Sequence, residues 1–339
     1  MSNKCYMVRL TPINSYYFGG EITLGENTVQ NYYVKSNYLP QVSSLLGVVR
    51  YEILRQNNML SYDKNDKRQL DQVKSLIGSR GFSIDDTLES YGIIQKLSPV
   101  FVEDKNKCCF YTPMPLDNGI QVAFDSSTEC SFSSSCIQSK IVTMSGYDYK
   151  NYDNYKCWVS GDGEKIDASA IFYEKEQIGI TKSNRENDDQ DAFYKMISVG
   201  LKSPYNFVFA LETSMEIQAV EKEIVFMGGN RSSFVMSITP FEDGDTDFFC
   251  SYFSGLKRPN RLLLLSDTFF SDRERNDIPF IWANMVCNRY IVNSCEKGHS
   301  WNRPQKTELY HLFARGGVIY DAAVDQHHHL NNVGLNIFI

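Results

Sequence analysis

Six residues carry the clearest chemical potential in this sequence: Gly228-Gly229-Asn230-Arg231-Ser232-Ser233, set between EIVFM and FVMSI over Glu223 to Ile238. The whole stretch reads as strand, turn, strand. Gly-Gly-Asn tolerates positive φ, so the backbone can turn sharply and leave its N–H groups facing outward, a nest that accepts an anion. Arg231 sets a planar, permanently charged fork beside those amides, suited to phosphate. Ser232 and Ser233 are donors short enough not to block the approach. The plain alternative is a hairpin loop with a solvated arginine, and a glycine pair alone does not separate the two.

The remaining chemistry-bearing residues are less ordered. All five histidines fall late, at His299, His311 and His327-His328-His329. Side chains alternate along a strand, so three neighbours cannot all meet one ion, and the run reads as a polar loop. Cys287, Cys295 and His299 form a candidate zinc set without a fourth ligand or paired spacing; buried thiols are the better reading. The acidic stretches Asp188 to Asp191 and Glu242 to Asp247 lack the fixed geometry of a two-metal site and read as solvated loops. No metal or cofactor is expected. The basic run Lys257-Arg258-Pro259-Asn260-Arg261 admits three readings equally: a solvated loop, a phosphate contact, or a contact with an acidic partner.

Composition bounds the function classes. At 339 residues, with 42% apolar and 22% charged positions, the chain is that of a folded protein of about two domains. A formal net charge of -7 argues against a protein that coats nucleic acid non-specifically, although it leaves room for a local basic groove. Nine cysteines, an odd set without a C-x-x-C pair, predict reduced thiols in a cytoplasm, and the N-terminus shows no long apolar signal core. The densest apolar run, Leu262 to Leu265, falls far short of the roughly 20 residues that span a bilayer.

The elements that must hold the turn follow the hydrophobic periods. Cys5 to Leu10 predicts a first strand ended by Thr11-Pro12. A long aromatic loop through Tyr16-Tyr17-Phe18-Gly19-Gly20 continues to Lys35-Ser36-Asn37. From Pro40 the period becomes helical, with Val42, Leu45, Leu46, Val49 and Ile53 on one face. Gly47 within it is expected at a close packing with a sheet. A peripheral helix is expected over 63–77, strands over Ile93 to Glu103 and Cys108 to Thr112, and an irregular Ser- and Tyr-rich insertion over 125–165. Strands follow at Ala170 to Ile180, Phe207 to Leu211, Ile224 to Met227, Phe234 to Ile238 and Arg261 to Leu265, with a helical piece around Ile281 to Val292. The reading is α+β in two units, 1–190 and 191–339, with the boundary between 165 and 205.

Three spaced features together resemble the RAMP superfamily of CRISPR proteins. They are the first strand with its aromatic glycine loop and the helix LPQVSSLLGVVR from Leu39; Gln177-Ile178-Gly179-Ile180 with Phe193-Tyr194; and the glycine turns at Gly228-Gly229-Asn230-Arg231 and Arg315-Gly316-Gly317-Val318-Ile319-Tyr320. Within that superfamily the chain looks like the subunit of Cmr-type (type III-B) effector complexes that holds the 5′ handle of the crRNA. The resemblance spans most of the chain, although each motif is short.

It implies two ferredoxin-like, RRM-related domains with glycine-rich loops near their interface. The partners it implies are the crRNA 5′ handle, the large polymerase-like subunit and the first backbone RAMP subunit. Carried over by position, the RNA-binding residues it implies are Lys35, Ser36, Asn37 and Gln41 at the helix entry; Lys182 and Arg185 after Gly179; and Gly228, Gly229, Asn230, Arg231, Arg315, Gly316 and Gly317 at the turns. Backbone nests and basic side chains on phosphates, with aromatics stacking on splayed bases, are the usual means of holding single-stranded RNA. The loop Ile13 to Glu21 departs from the acidic, arginine-containing pattern of many Cmr-type members, which keeps the handle-binding subunit of a type III-A complex as a neighbour reading. RAMP endoribonucleases commonly use a general-base histidine in the N-terminal domain. No histidine precedes His299 here, so the chain is expected to be non-catalytic, with a non-histidine RAMP endoribonuclease as the alternative.

Overall fold

The computed structural model describes the chain apart from residues 1–2, 20–21, 25–30, 64, 80–81, 83, 85–90, 126–130, 133–134, 137–140, 182–191, 230, 242–243, 293–304, 321, 323 and 325–328. Its first elements are β1 (Lys4–Pro12), β2 (Ile22–Leu24), β3 (Asn31–Lys35), α1 (Val42–Gln56), α2 (Lys67–Ile77), β4 (Ile94–Leu97), β5 (Phe101–Asp104) and β6 (Cys109–Pro113). Mixed α and β, mostly antiparallel and with few helices, is the architecture throughout.

β1 is an interior strand of a nine-stranded sheet. It pairs antiparallel with Tyr205–Thr213 on one side, Met7 opposite Ala210, and with Ser232–Pro240 on the other, Met7 opposite Thr239. Beyond Tyr205–Thr213 the sheet continues through β5, β6, Cys157–Ser160 and Lys165–Asp167, with β4 also pairing to Tyr205–Thr213; beyond Ser232–Pro240 it ends at Val220–Met227. Both strands that pair with β1 thus lie beyond residue 204 in the sequence.

Both faces of this sheet are covered, and the two-residue period of the strands decides which residue goes where. Tyr6, Val8 and Leu10, with Phe207, Phe209 and Leu211, pack in one core with Leu45, Leu46, Val49 and Ile53 of α1. Met7, Val208 and Ala210 point the other way, into a core with Phe249, Phe253, Leu263 and Val318. Each such buried aliphatic or phenylalanine side chain contributes about 1.5–3 kcal/mol relative to exposure. Gly47 does not pack against the sheet. It is exposed, and a Cβ there would meet nothing within 4 Å, because it lies on the side of α1 opposite the apolar stripe.

A second sheet of four strands runs Phe172–Thr181, Ala192–Leu201, β3, β2, with β3 parallel to Ala192–Leu201. The expected strand over Ile93 to Glu103 is two strands, broken at Ser98-Pro99-Val100, where proline removes a ladder donor. The expected helical piece from Ile281 to Val292 is instead strand: Phe280–Trp282 pairs with Val318–Tyr320 and Met285–Asn288 with Tyr310–Phe313. Partner strands far along the chain override the helical spacing there. The insertion is more ordered than its composition suggests. Gln121–Asp125 pairs with Ile141–Ser145, Trp158 is buried in the main sheet, and Tyr152 stacks on Trp282 at 5.6 Å between ring centroids.

Candidate nucleic-acid interface

The turn at Gly228 is built for close approach. Met227 lies opposite Ser232 across the hairpin, Gly228 sits at φ +78° and Arg231 at φ +49°. A Cβ on Gly228 would stand 2.5 Å from the Tyr17 carbonyl oxygen and 2.9 Å from Cδ1 of Phe18; one on Gly229 would stand 2.7 Å from Cδ1 of Tyr17. Glycine is therefore required both for the backbone angle and for the space. The turn presses onto the aromatic loop: Gly229 N–H donates to Tyr17 O at 2.7 Å, Tyr17 N–H donates to Ser232 Oγ at 3.2 Å, and Ser232 Oγ donates back to Gly229 O at 3.0 Å. Gly229 N–H and the Ser232 hydroxyl are thus spent inside the protein. Arg231 is exposed and makes no ion pair among the described residues.

The same loop is held from the other side by the entry to α1. Ser36, 4% exposed, accepts from Phe18 N–H at 2.9 Å and donates to Asn37 O. Asn37 binds the loop twice, N–H to Phe18 O at 3.0 Å and Nδ2 to Gly19 O at 2.5 Å. Beneath, Tyr16 and Phe18 lie against Phe207 and Phe234, Phe18 stacked on Phe234 at 5.9 Å. Tyr16 donates to Tyr38 O at 2.9 Å, and burial drives its hydroxyl pKa well above the usual range. Lys35 Nζ meets Glu174 at 2.7 Å, and the Tyr38 hydroxyl donates to the same carboxylate at 3.2 Å. Partial burial pulls the Lys35 pKa down, but the hydrogen bond and charge of Glu174 outweigh it and the net shift is upward.

Asn37 and Gln41 share a cleft of about 180 Å³ with Trp158, Asn288 and Arg315. Gln41 donates to Asn288 Oδ1 at 2.8 Å. It is also the N-cap of α1, yet its side chain caps nothing and the first turn holds no acidic residue. The opening amides of α1 therefore keep the positive end of the helix dipole uncompensated by a side chain. Arg315 has internal partners: Nη1 donates to Val100 O at 2.8 Å, Nε faces Asp267 at 3.4 Å, and the side chain is 7% exposed. Gly316 and Gly317 are equally internal, donating to Leu264 O and Ala314 O. A Cβ on Gly317 would stand 2.5 Å from that of Ala283.

The structure thus brings Ser36, Asn37, Gly228 and Gly229 to one aromatic loop, with Arg231 in the same turn, and Asn37, Gln41 and Arg315 to one cleft, while Lys35 is turned to Glu174. Lys182, Arg185 and Asn230 lie outside the described residues, as do Cys295, His299, His327 and His328. Glu174, Asp267 and Asn288, which hold three of these side chains, left no signal in the sequence, because each reaches its partner from a distant segment. Among the described residues no three His, Cys, Asp or Glu groups come together as a metal site. Cys287 and His311 do meet, Sγ to Nδ1 at 3.3 Å, as opposite residues on paired strands. No helix is long and apolar enough to cross a membrane among the described residues.

With this fold and this loop geometry, the chain falls among the CRISPR-associated proteins of the Cmr type. Within that class the chain belongs to the family described as CRISPR-associated protein (Cas_Cmr3), whose sequence profile matches residues 8–327. Comparison with curated proteins finds no match. Among solved structures, a chain of the type III-B Cmr-beta complex bound to cognate target RNA and AMPPnP aligns over 98% of this chain and 96% of its own, at 11% identity and a TM-score of 0.50. A chain of the same complex bound to cognate target RNA aligns over the same shares at 12% identity and a TM-score of 0.51. At such identity the likeness is one of fold.

Proposed function

We propose that this chain is a non-catalytic RNA-binding subunit of a cytoplasmic type III-B effector complex in antiviral defence. It holds the crRNA 5′ handle and joins the large polymerase-like subunit to the backbone subunits, through two ferredoxin-like units gathered around the glycine turns. The observation that carries the reading is the docking of the Gly228–Gly229 turn on the Tyr17–Gly19 loop. This docking leaves Arg231 exposed on a turn that meets the same loop as Asn37 does, and in this reading the guanidinium and the open start of α1 both serve the RNA strand. Lys35, Ser36, Asn37 and Gln41 shape that face, Lys182, Arg185 and Asn230 belong to the same proposed contact set, and Arg315, followed by Gly316 and Gly317, lines the cleft beside Asn37 and Gln41. Phosphate contacts of this kind position a strand without reading its bases.

The test is binding of the protein, assembled with its large partner subunit, to crRNA carrying or lacking the handle, for wild type, Arg231→Ala and Arg315→Ala. The expected result is handle-dependent binding, weakened about fivefold or more by Arg231→Ala with the slope against salt reduced by about one. Arg315→Ala should weaken binding only together with a lower unfolding midpoint, because its guanidinium ties Val100 to Asp267. Equal binding to both RNAs would sink the reading, and metal-free cleavage of repeat RNA by the protein alone would replace it with an endoribonuclease.

A further inference from the structure

The basic run that the sequence left open lines a cleft of about 850 Å³, whose walls include Lys96, Lys257, Arg258, Arg261, Asn332 and Ile337. It opens at the Arg261 end of the pairing in which Arg261 lies opposite Tyr320 and Leu263 opposite Val318. Gly316 and Gly317 precede Val318, at the other end of that ladder, so this cleft is separate from the handle face.

Lys257 to Asn260 are exposed to solvent, yet the run is anchored in place. Pro259 and Asn260, the latter at φ +57°, occupy the centre of a turn in which Arg261 N–H donates to Arg258 O at 3.4 Å. These are the residue types a turn with one positive-φ position favours. Asp117, fully buried, anchors it: Arg261 Nη1 donates to Asp117 Oδ1 at 2.9 Å, Arg258 Nη1 reaches Oδ2 at 3.4 Å, and the Tyr320 hydroxyl donates to Oδ2 at 2.5 Å. Two arginines on one carboxylate leave positive charge over.

Two further observations point outward, while a third cation is already paired. Arg261 is 1% exposed at its side chain, and its Nε has no hydrogen-bond partner, although an unsatisfied buried donor is costly. Lys257 is exposed and pairs with no carboxylate among the described residues. Lys96 is already neutralised by Asp247 at 2.8 Å. Lys96 is paired with Asp247 and Arg261 with Asp117, which leaves Lys257 and part of the Arg258 charge without a carboxylate of their own among the described residues. The volume falls in the range of ligand clefts, about 300–1,000 Å³, and its concavity suits a small anion or the backbone of a strand better than the flat face of a folded partner.

We infer that this cleft is a second anion site, which takes the phosphate of a nucleotide or of an RNA strand on Lys257, Arg258 and Arg261. Lys257 and the exposed part of Arg258 meet the oxygens first, and Arg261 Nε is the donor waiting deeper in.

The experiment titrates the full-length protein with inorganic pyrophosphate by calorimetry and with a labelled oligoadenylate decamer, which lacks the handle, by anisotropy. Wild type, Lys257→Glu, Lys257→Ala, Arg258→Gln and Arg231→Ala are compared. Pyrophosphate binding should fall about tenfold in Lys257→Glu, less in Lys257→Ala, and stay unchanged in Arg231→Ala. Lys257 is exposed, so its variants keep the fold. Loss of decamer and pyrophosphate binding together assigns the site to an RNA strand; loss of pyrophosphate binding alone assigns it to a free nucleotide. Pyrophosphate binding that is absent, or indifferent to Lys257 and Arg258, overturns the proposal, as does displacement by an acidic peptide and not by pyrophosphate. Handle binding is read separately through Arg231, so neither result decides the other.

Discussion

Gly228 shows how much one residue without a side chain can settle. Its positive φ and the 2.5 Å that a Cβ would leave to Tyr17 O make Gly228→Ala a double fault, strain added to collision. We expect a loss of about 1–3 kcal/mol in urea unfolding, together with loss of handle binding, whereas Arg231→Ala should lose binding alone. The thiols give a second residue-scale prediction. Burial, then the charge of Glu212, pushes Cys5 up to about 11; burial, then Asp247, does the same for Cys250. At pH 8 both should react with a thiol reagent far more slowly than exposed Cys108, as read by peptide mapping. The raised folded values also fix a sign. Between pH 9 and about 11 the unfolded chain loses these protons first, so their contribution to stability falls as pH rises through that window and is whole below it.

Among the elements, α1 was the most legible because its apolar residues recur at the period of a helix whatever they pack against. Even so, its glycine was misplaced: spacing shows which face is apolar but not how near the next backbone comes. Gly47 is exposed with open space around its Cα, and Gly47→Ala should raise stability by about 0.5–1 kcal/mol, measured by the unfolding midpoint, with RNA binding unchanged. The segment 281–292 failed in the opposite way. Its residues satisfy a helical spacing locally, but Val318–Tyr320 and Tyr310–Phe313 offer backbone partners that a helix there would leave unpaired. The Ser- and Tyr-rich insertion was unreadable for a related reason, since its buried strand Cys157–Ser160 takes its register from β6.

At the scale of the whole molecule, the chain returns to its beginning. Among the described residues, both strands that pair with β1 come from beyond residue 200, Tyr205–Thr213 and Ser232–Pro240. The glycine turn reaches the aromatic loop because Ser232–Pro240 pairs with β1, and the two meet just beyond the end of that ladder. Composition, the α1 period, the strand-turn-strand at Glu223 to Ile238 and the family resemblance could all be read from the sequence, since each depends on neighbours in the chain. Arg231 and Arg315 look alike in sequence, each beside a glycine pair. Only the fold separates them, leaving one at the surface and tying the other to Asp267 and Val100. It likewise turned the basic run at Lys257 from a loop of three possible meanings into the wall of a cleft, because Asp117, more than a hundred residues earlier, anchors its arginines. Periodicity and turn chemistry act over a few residues and are written locally. Whether a charge is spent inside or offered outside depends on which distant segment arrives beside it, and that only the tertiary structure decides.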